Sequence, residues 1–466
     1  MHQETIQQNE ILGILNEKHA VVMVGGKTAI LNEDFDPSFN RKAVTFSSVA
    51  DFKLRYQNRP IPQEWNAGRN IVDLWLNHSD RKQYQGIYFE PYSLMSPPTE
   101  ETEDYYNLFQ GWPINPVEGD CNLFWEHVEE VVCDGDDELY RYVRKWMAHA
   151  IQYPKELPEV ALVLRGGQGV GKDMFARHFG ELFGQHYLPV SSMDQVAGRF
   201  NGHLADVLLL QANEAAWNGN RSNEGILKGM ITDPVLSLEY KGKDITRVNN
   251  YKRLIICSNE SLPVPVGLDD RRFLFLDVSE KHKGNRDYFG RLIAQMKDRG
   301  FEALMWDLIH EDLDNFDVRS KPQQNLLLDI KLESGDSLLR WWYGCLYDGI
   351  IHTTAPIRHP QRWTDEKMKA NIYFSYKEYC KDYETGKPFD SSKFFKKLRD
   401  FQPGIKETRP AINDKRIRCY EFPPLNQCRQ NFEKKLNNQV EWPETEKEEL
   451  VPRCPPLNPM VGAITN

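Results

Sequence analysis

The stretch of this chain most suited to chemistry is VALVLRGGQGVGKD, residues 160–173. Gly166, Gly171 and Lys172 have the G-x-x-x-x-G-K spacing of a phosphate loop, set between an apolar strand and an amphipathic helix expected over Met174–Phe183. Glycines let backbone N–H groups wrap a β-phosphate, and the helix N-terminus adds partial positive charge. The lysine then reaches the β and γ oxygens. The expected nucleotide-binding residues are Gly166, Gly167, Gln168, Gly169, Val170, Gly171, Lys172 and Asp173. One position departs from the pattern: the hydroxyl that would follow the lysine and ligate magnesium is replaced by Asp173.

Further along, LADVLLLQANEAAW (204–217) reads as an apolar strand ending in Asn213 and Glu214. Glu214 fits a base that polarises an attacking water, while Asn213 stands where a metal-directed carboxylate is expected. Asp173, Asn213 and Glu214 would together hold Mg2+, partly through water, with one negative charge moved from the strand to the loop. RLIICSN (253–259) delivers Asn259 toward the γ-phosphate, and GLDDRRF (267–273) places Arg271 and Arg272 just before another buried strand. In an oligomeric ATPase such arginines reach the neighbouring subunit's γ-phosphate. Between the second and third strands, SLEYKGKDITRVNN (237–250) reads as a hairpin with Tyr240, Lys241 and Lys243 at its tip. Cations there can contact nucleic-acid phosphates and the aromatic can stack a base.

Positioning these groups requires an α/β frame. Residues 159–280 alternate apolar strands (VALVL, VLLLQA, RLIICS, FLFLDV) with helices, the pattern of a mostly parallel sheet. Ahead of it, 121–153 carries two helical stripes separated by DGDDE, where Asp136 or Asp137 can cap the second. Residues 1–115 mix strand-like runs with turns, and Asp34-Phe35-Asp36 reads as an acidic turn after the strand KTAILN. Two more helices are expected at Tyr288–Met296 and Phe301–Ile309, and RSKPQQ (319–324) reads as a boundary. A smaller unit over 330–430 contains the helical runs IYFSYKEYCKDYE and SSKFFKKLRDF and a strand at IRCYEF. Residues 391–435 hold twelve Lys/Arg against five Asp/Glu, a basic island in a chain of net charge −10, so Lys393, Lys396, Lys397 and Arg399 are candidate DNA contacts. From 431 to 466 the chain turns acidic and Pro-rich, and a flexible tail is expected there.

The 466 residues suggest about three domains at roughly 150 residues each. Eight cysteines without a C-x-x-C pair argue against a zinc ribbon or a disulfide framework. No apolar run reaches the roughly 18–20 residues of a membrane span, and MHQETIQQNEIL lacks a signal-peptide pattern. The expected location is therefore cytoplasmic, with no membrane partner. His78, His149 and His178 lie in separate segments and read as structural.

Taken in order, GGQGVGKD, LLLQANEAAW, the Lys-rich hairpin, LIICSNE and DDRRF resemble the AAA+ motor of superfamily-3 helicases. The likeness is strongest to the helicase half of phage and prophage primase-polymerase-helicase proteins. NEGILKGMITD (223–233), AGRFNGHL (197–204), FDVRSKP (316–322) and YQGIYFEP (84–91) extend it from about residue 15 to 430. The resemblance implies an α/β AAA+ P-loop core over 159–325, an α/β N-terminal region over 1–115, a helical element over 116–158 and a basic winged-helix-like domain over 330–430. It implies a hexameric ring that uses ATP and Mg2+ to translocate on single-stranded DNA and unwind forked DNA in the bacterial host cell. Within it, Lys172 grips phosphate, Glu214 is the base and Asn259 the sensor. Arg272, with Arg271 second, is the finger acting in trans; Lys228 is a further trans phosphate sensor, and Lys241 and Lys243 line the DNA channel.

Family members often carry a primase-polymerase domain of about 200–300 residues ahead of the motor, large for one domain. Only about 115 residues precede the helical element here, so a separate primase or primase-polymerase is the expected partner. Two alternatives stand beside this reading: an AAA+ DNA translocase or loader that does not unwind, and a DNA-binding initiator that has lost ATPase activity through its altered magnesium positions.

Overall fold

The computed structural model describes residues 2–37, 41–59, 70–97, 104–198, 201–213, 221–239, 245–260, 264, 270–322, 325–351, 363, 367–384, 386–412 and 415–443. The chain divides into two units, Met1–Pro263 with Arg272–Pro322, and Val264–Arg271 with Gln323–Asn466.

The first unit begins with helix α1 (His2–Lys18) and strands β1 (His19–Val24), β2 (Lys27–Asp36) and β3 (Arg41–Ser47). Helices α2 (Val49–Arg55) and α3 (Ile71–Leu76) follow, then the short strand β4 (Gln83–Tyr84), giving a sheet of order β3-β2-β1-β4. Asp34-Phe35-Asp36 is not a turn. It lies inside β2, paired with β3 through Asp36, and Asp34 accepts two hydrogen bonds from Arg55, each 3.0 Å. That guanidinium holds the Asp34 carboxyl below the ordinary carboxylate range. The reversal comes earlier, between Val24 and Lys27, where Gly25 and Gly26 adopt positive φ.

Helix α4 (Asn122–Glu126) runs into a π-helical turn, His127–Val132, and α5 (Asp137–Gln152) follows. Asp136 is the residue that caps α5, its carboxylate accepting from the N–H groups of Glu138 and Leu139. The expected stripes face inward: Phe124, Val128, Val131, Val132, Val143, Trp146 and Met147 are buried in one core.

That core covers a five-stranded parallel sheet made of β5 (Ala161–Arg165), β6 (Tyr187–Val190), β7 (Leu209–Asn213), β10 (Arg253–Ser258) and β11 (Phe273–Asp277). Their order is β11-β5-β10-β7-β6, with every pairing parallel. Ala161–Leu164 and the whole of β10 are buried, as strands covered on both faces must be. Four of these strands were legible as apolar runs. The fifth, YLPV, is short and contains Pro189, which is tolerated because the strand lies at the sheet edge. Helices α6 (Lys172–Glu181) and α7 (Arg221–Thr232) lie along this part of the chain, and β8 (Val235–Leu238) pairs antiparallel with β9 (Thr246–Asn249). These are the arms of the expected hairpin; Tyr240, Lys241 and Lys243 at its tip lie outside the described residues. Helices α8 (Arg286–Gln295) and α9 (Phe301–His310) complete the unit.

Arg253, at the start of β10, is 1% exposed and donates to the carbonyls of Tyr153 (2.8 Å), Glu156 (2.9 Å), Tyr251 (3.1 Å) and Pro154 (3.2 Å). Tyr153 follows the C-terminal end of α5, where the helix dipole favours a cation. Burial lowers the guanidinium pKa to about 9. Arg253→Met should cost about 3–5 kcal/mol, because the buried carbonyls of Pro154 and Tyr251 and the part-buried ones of Tyr153 and Glu156 lose their donor together. Urea unfolding measures this, and a loss below about 1 kcal/mol would mean that water replaces the guanidinium.

The second unit contains α10 (Asn325–Ser334), α11 (Ser337–Asp348), β12 (Lys367–Met368), α12 (Lys369–Tyr383) and α13 (Ser391–Phe401). Strand β13 (Lys406–Thr408), the hairpin β14 (Ala411–Ile412) and β15 (Lys415–Arg416), β16 (Cys419–Glu421) and α14 (Leu425–Leu436) follow. Its three-stranded sheet has the order β12-β16-β13, and Trp341, Trp342, Tyr376, Phe394, Leu398 and Phe432 fill its core. The expected tail starts too early at 431. Helix α14 continues to Leu436, Leu436 and Val440 are buried, and Trp442 packs on the same core. Residues 444–466 lie outside the described residues. Among the described residues all seven cysteines are free and buried, and no helix is long and apolar enough to cross a membrane.

Candidate nucleotide-binding site

Strand β5 ends at Arg165, whose guanidinium is paired with Asp277 at the end of β11 (2.7 and 2.9 Å). The chain then turns through Gly166 at φ 153°, and the Gly166 N–H donates to the Ser258 carbonyl at 3.3 Å. Gly171, at φ 109°, opens α6, and any Cβ there would collide with the His127 ring. Both positions therefore require glycine, for backbone conformation and for space.

Lys172 is 6% exposed. Its ammonium donates to the carbonyls of Gly166 (2.6 Å) and Gly167 (2.7 Å) and to Asn259 Oδ1 (2.9 Å). The two residues expected to touch the γ-phosphate, 87 positions apart in the chain, thus meet at the C-terminal edge of the sheet. They border a cleft of about 350 Å³ lined by the loop from Gln168 to Met174 together with Cys257, Asn259 and Phe289.

The two altered positions also meet. Gln211, buried on β7, donates its amide to Asn213 Oδ1 (2.6 Å) and to Asp173 Oδ1 (3.3 Å), while its carbonyl accepts from the Tyr187 hydroxyl. Cys257 stands beside them, and burial together with the Asp173 charge pushes its thiol pKa up. Glu214 lies outside the described residues. Lys228 is ion-paired with Glu224 one turn away on α7 (2.8 Å) and does not line the cleft. Arg271 and Arg272 directly precede β11, whose Phe273 is in register with Ala161 at the start of β5. Arg272 therefore lies at the opposite end of the sheet from its own phosphate loop, about five residues of strand or roughly 16 Å away. In the second unit, Lys397 pairs with Asp336, and Lys393 and Lys397 stand over the Phe389 ring at 4.3 and 4.8 Å. Of the four expected DNA contacts there, Arg399 alone lines a groove; Lys393, Lys396 and Lys397 do not.

Residues 164–272 match the profile of a family described as being of unknown function (DUF5906). The match spans the phosphate loop. Over 190 residues the chain is 29% identical to the DNA primase-polymerase of Nitratiruptor phage NrS-1, covering 39% of this chain and 26% of that protein. The chain thus matches about a quarter of that relative's length. The apo structure of the NrS-1 C-terminal region superposes with a TM-score of 0.65 at 18% identity, covering 88% of this chain and 97% of that one. A second structure of the region, its A form, gives 0.62 at 19% identity over 88% and 98%. The chain therefore shares the mixed α/β fold and parallel sheet of that region, and its sequence is similar to that of a phage DNA primase-polymerase.

Magnesium fits the donors present. A hard divalent ion takes oxygen ligands, and one Gln211 amide orients both the Asp173 carboxylate and the Asn213 carbonyl. Among the described residues no three His, Cys, Asp or Glu side chains cluster as a metal site; the expected third ligand, Glu214, lies outside them.

Gln211, His127, Glu280 and Lys283 escaped the sequence reading. Gln211 was open to detection, since it sits two residues before Asn213 and so on the same strand face. Lys283 pairs with Glu280 (2.8 Å), and both stand within 3.1 Å of where a Gly167 Cβ would be. His127 Nε2 is 3.2 Å from the Gly171 carbonyl and Nδ1 is 3.1 Å from the Tyr288 hydroxyl. A carbonyl can only accept, so Nε2 carries the proton and the Tyr288 hydroxyl donates to Nδ1. Burial lowers the pKa of His127 to about 4, of His149 to about 3 and of His178 to about 4. All three are neutral in the folded chain, whereas unfolded imidazoles bind protons below about pH 6.5. Stability should be full above that pH and fall progressively as the pH drops from about 6.5 toward 4. Urea midpoints between about pH 7.5 and 5.5 check this, since carboxylates stay ionised there; a flat profile would mean the imidazoles protonate without cost.

Proposed function

We propose that this chain is the ATP-driven motor of a phage or mobile-element replication system, a superfamily-3 AAA+ DNA helicase working as a hexameric ring. The observation that carries the reading is the meeting of Lys172 and Asn259 at the mouth of a glycine loop. It occurs at the C-terminal edge of a parallel sheet ordered β11-β5-β10-β7-β6, and ligands of such sheets bind at that edge. The similarity to a phage primase-polymerase supports a role in phage DNA replication. In the second unit, the succession α11, β12, α12, α13, β13, hairpin, β16 supports a winged-helix reading.

In this reading Lys172 exchanges its loop carbonyls for β and γ oxygens, and Asn259 orients the attacking water. Glu214 accepts that water's proton as the oxygen bonds to the γ-phosphorus and the bridging bond to ADP breaks. Asp173 and Asn213 would hold Mg2+, which neutralises phosphate charge when bound. Arg272, too far from its own loop, serves the neighbouring subunit. Tyr240, Lys241 and Lys243 contact the translocating strand, and a separate primase or primase-polymerase supplies primers in the host cytoplasm.

The test is ATP hydrolysis with and without single-stranded DNA, alongside unwinding of a forked duplex. DNA-stimulated hydrolysis with unwinding is expected. Stimulated hydrolysis without unwinding would make the chain a translocase or loader, and no hydrolysis at all would leave a DNA-binding initiator.

A further inference from the structure

The second unit carries a groove of about 720 Å³ between α12 and α13, closed at one end by Ile417 and Arg418. Four cations line it, Lys369, Lys377, Arg399 and Arg418, and no carboxylate does. One carboxylate, Glu407, stands nearby, 3.8 Å from Lys369 and 3.7 Å from Arg418. The cations outnumber it, so the groove carries a net positive field in an acidic chain.

The groove also presents aromatic faces. Ala370, Phe374, Lys377 and Lys381 recur at helical spacing as the exposed stripe of α12. Phe374 is 46% exposed, an unusual position for a phenyl ring in a unit whose other phenylalanines fill its core. The Lys377 ammonium lies 5.9 Å from the Phe374 centroid and 5.6 Å from that of Tyr373. The Tyr373 hydroxyl donates to the Phe389 carbonyl at 2.9 Å, which fixes that ring as a wall. The Ser391 and Ser392 side chains lie on the facing helix.

We propose that this groove binds single-stranded nucleic acid, with Phe374 as a base platform and Lys377, Arg399 and Arg418 as phosphate contacts. An exposed ring flanked by cations suits an unstacked base, because bases in a duplex have no free face to offer. The assignment rests on the reading that the chain works on DNA, but it moves the contact from the outer face of α13 to the channel between α12 and α13.

The experiment uses the whole chain without nucleotide and measures fluorescence anisotropy of a labelled oligo-dT, a duplex of equal length and an oligo-U. Phe374→Leu, which keeps bulk but loses the ring, should weaken oligo-dT binding about tenfold at unchanged salt slope. Phe374→Tyr should bind as the parent does. Lys377→Ala with Arg418→Ala should weaken binding and lower the salt slope by about 1.4, roughly 0.7 for each lost single-strand phosphate contact. Lys393→Ala with Lys396→Ala, outside the groove, should change affinity less than twofold. Equal oligo-dT binding by parent and Phe374→Leu, an effect confined to the duplex, or a larger loss from the Lys393 pair would each overturn the proposal. Oligo-U bound as tightly as oligo-dT and equally weakened would support it for single strands of either kind. ATP hydrolysis in the same variants separates the two readings. Hydrolysis with no groove-dependent binding sinks the groove alone, and groove-dependent binding without hydrolysis sinks the motor alone.

Discussion

Lys172→Ala is expected to reduce ATP turnover by about 10²–10³-fold or more, the scale of removing one preorganised charge from a developing phosphate anion. The side chain is buried and its ammonium meets three oxygens within 2.9 Å. Lys283, which stands beside Gly167, is held by Glu280. Binding of a fluorescent ATP analogue should also weaken, but by less than turnover falls, because an interaction lost equally from ground and transition states would raise KM and leave kcat unchanged. Gly166 and Gly167 are only half-buried, so water can replace the ammonium at their carbonyls and the unfolding midpoint should move little. A variant that hydrolyses ATP near the parent rate would remove the basis for placing a nucleotide here.

The second large effect concerns Asp173 and Asn213, the proposed magnesium positions. Asp173→Ser removes the carboxylate of the Asp173–Asn213 pair, and magnesium-dependent turnover should fall about 10–100-fold, the cost usual for disturbed metal shells. Adding Asn213→Asp restores a carboxylate across the same Gln211 amide, which lies within 3.3 Å of both positions. Much of the activity should return, with a coupling of about 1–3 kcal/mol between the two changes. Titrating Mg2+ in both variants separates lost affinity from lost chemistry. If the double variant is no better than Asp173→Ser, the two departures are unrelated and Asp173 acts as a helix N-terminal carboxylate.

Much of this architecture could be read before any coordinates. Apolar runs such as RLIICS announce themselves because a strand buried on both faces has no polar position to blur the pattern. The glycine loop was legible because its chemistry is local, and the meeting of Lys172 with Asn259 follows once β5 and β10 are neighbours. What stayed hidden was non-local or locally ambiguous. YLPV has only four residues and a proline, so edge placement alone makes it a strand. DFD looked like a turn because two aspartates discourage strand formation, yet Arg55 supplies the counter-charge from a helix 21 residues away. Gln211 was overlooked between more conspicuous neighbours. His127 lies 44 positions before Gly171, and nothing in its own segment signals the contact. The basic island shows another limit: charge density alone does not reveal that Lys393 and Lys397 stand over the Phe389 ring or that Lys397 pairs with Asp336.

The His127 imidazole, bonded on one side to the Gly171 carbonyl and on the other to the Tyr288 hydroxyl, is also a reporter placed at the back of the loop. Its two nitrogens face groups from different elements, so any tilt of the Gly171 peptide must alter the ring's hydrogen bonding and with it the tyrosine's. Because its pKa sits near 4, the ring does not titrate in the neutral range, and its magnetic resonance signal there would be free of protonation shifts. One aromatic proton frequency could therefore follow the loop's conformation in solution without a label on the loop itself.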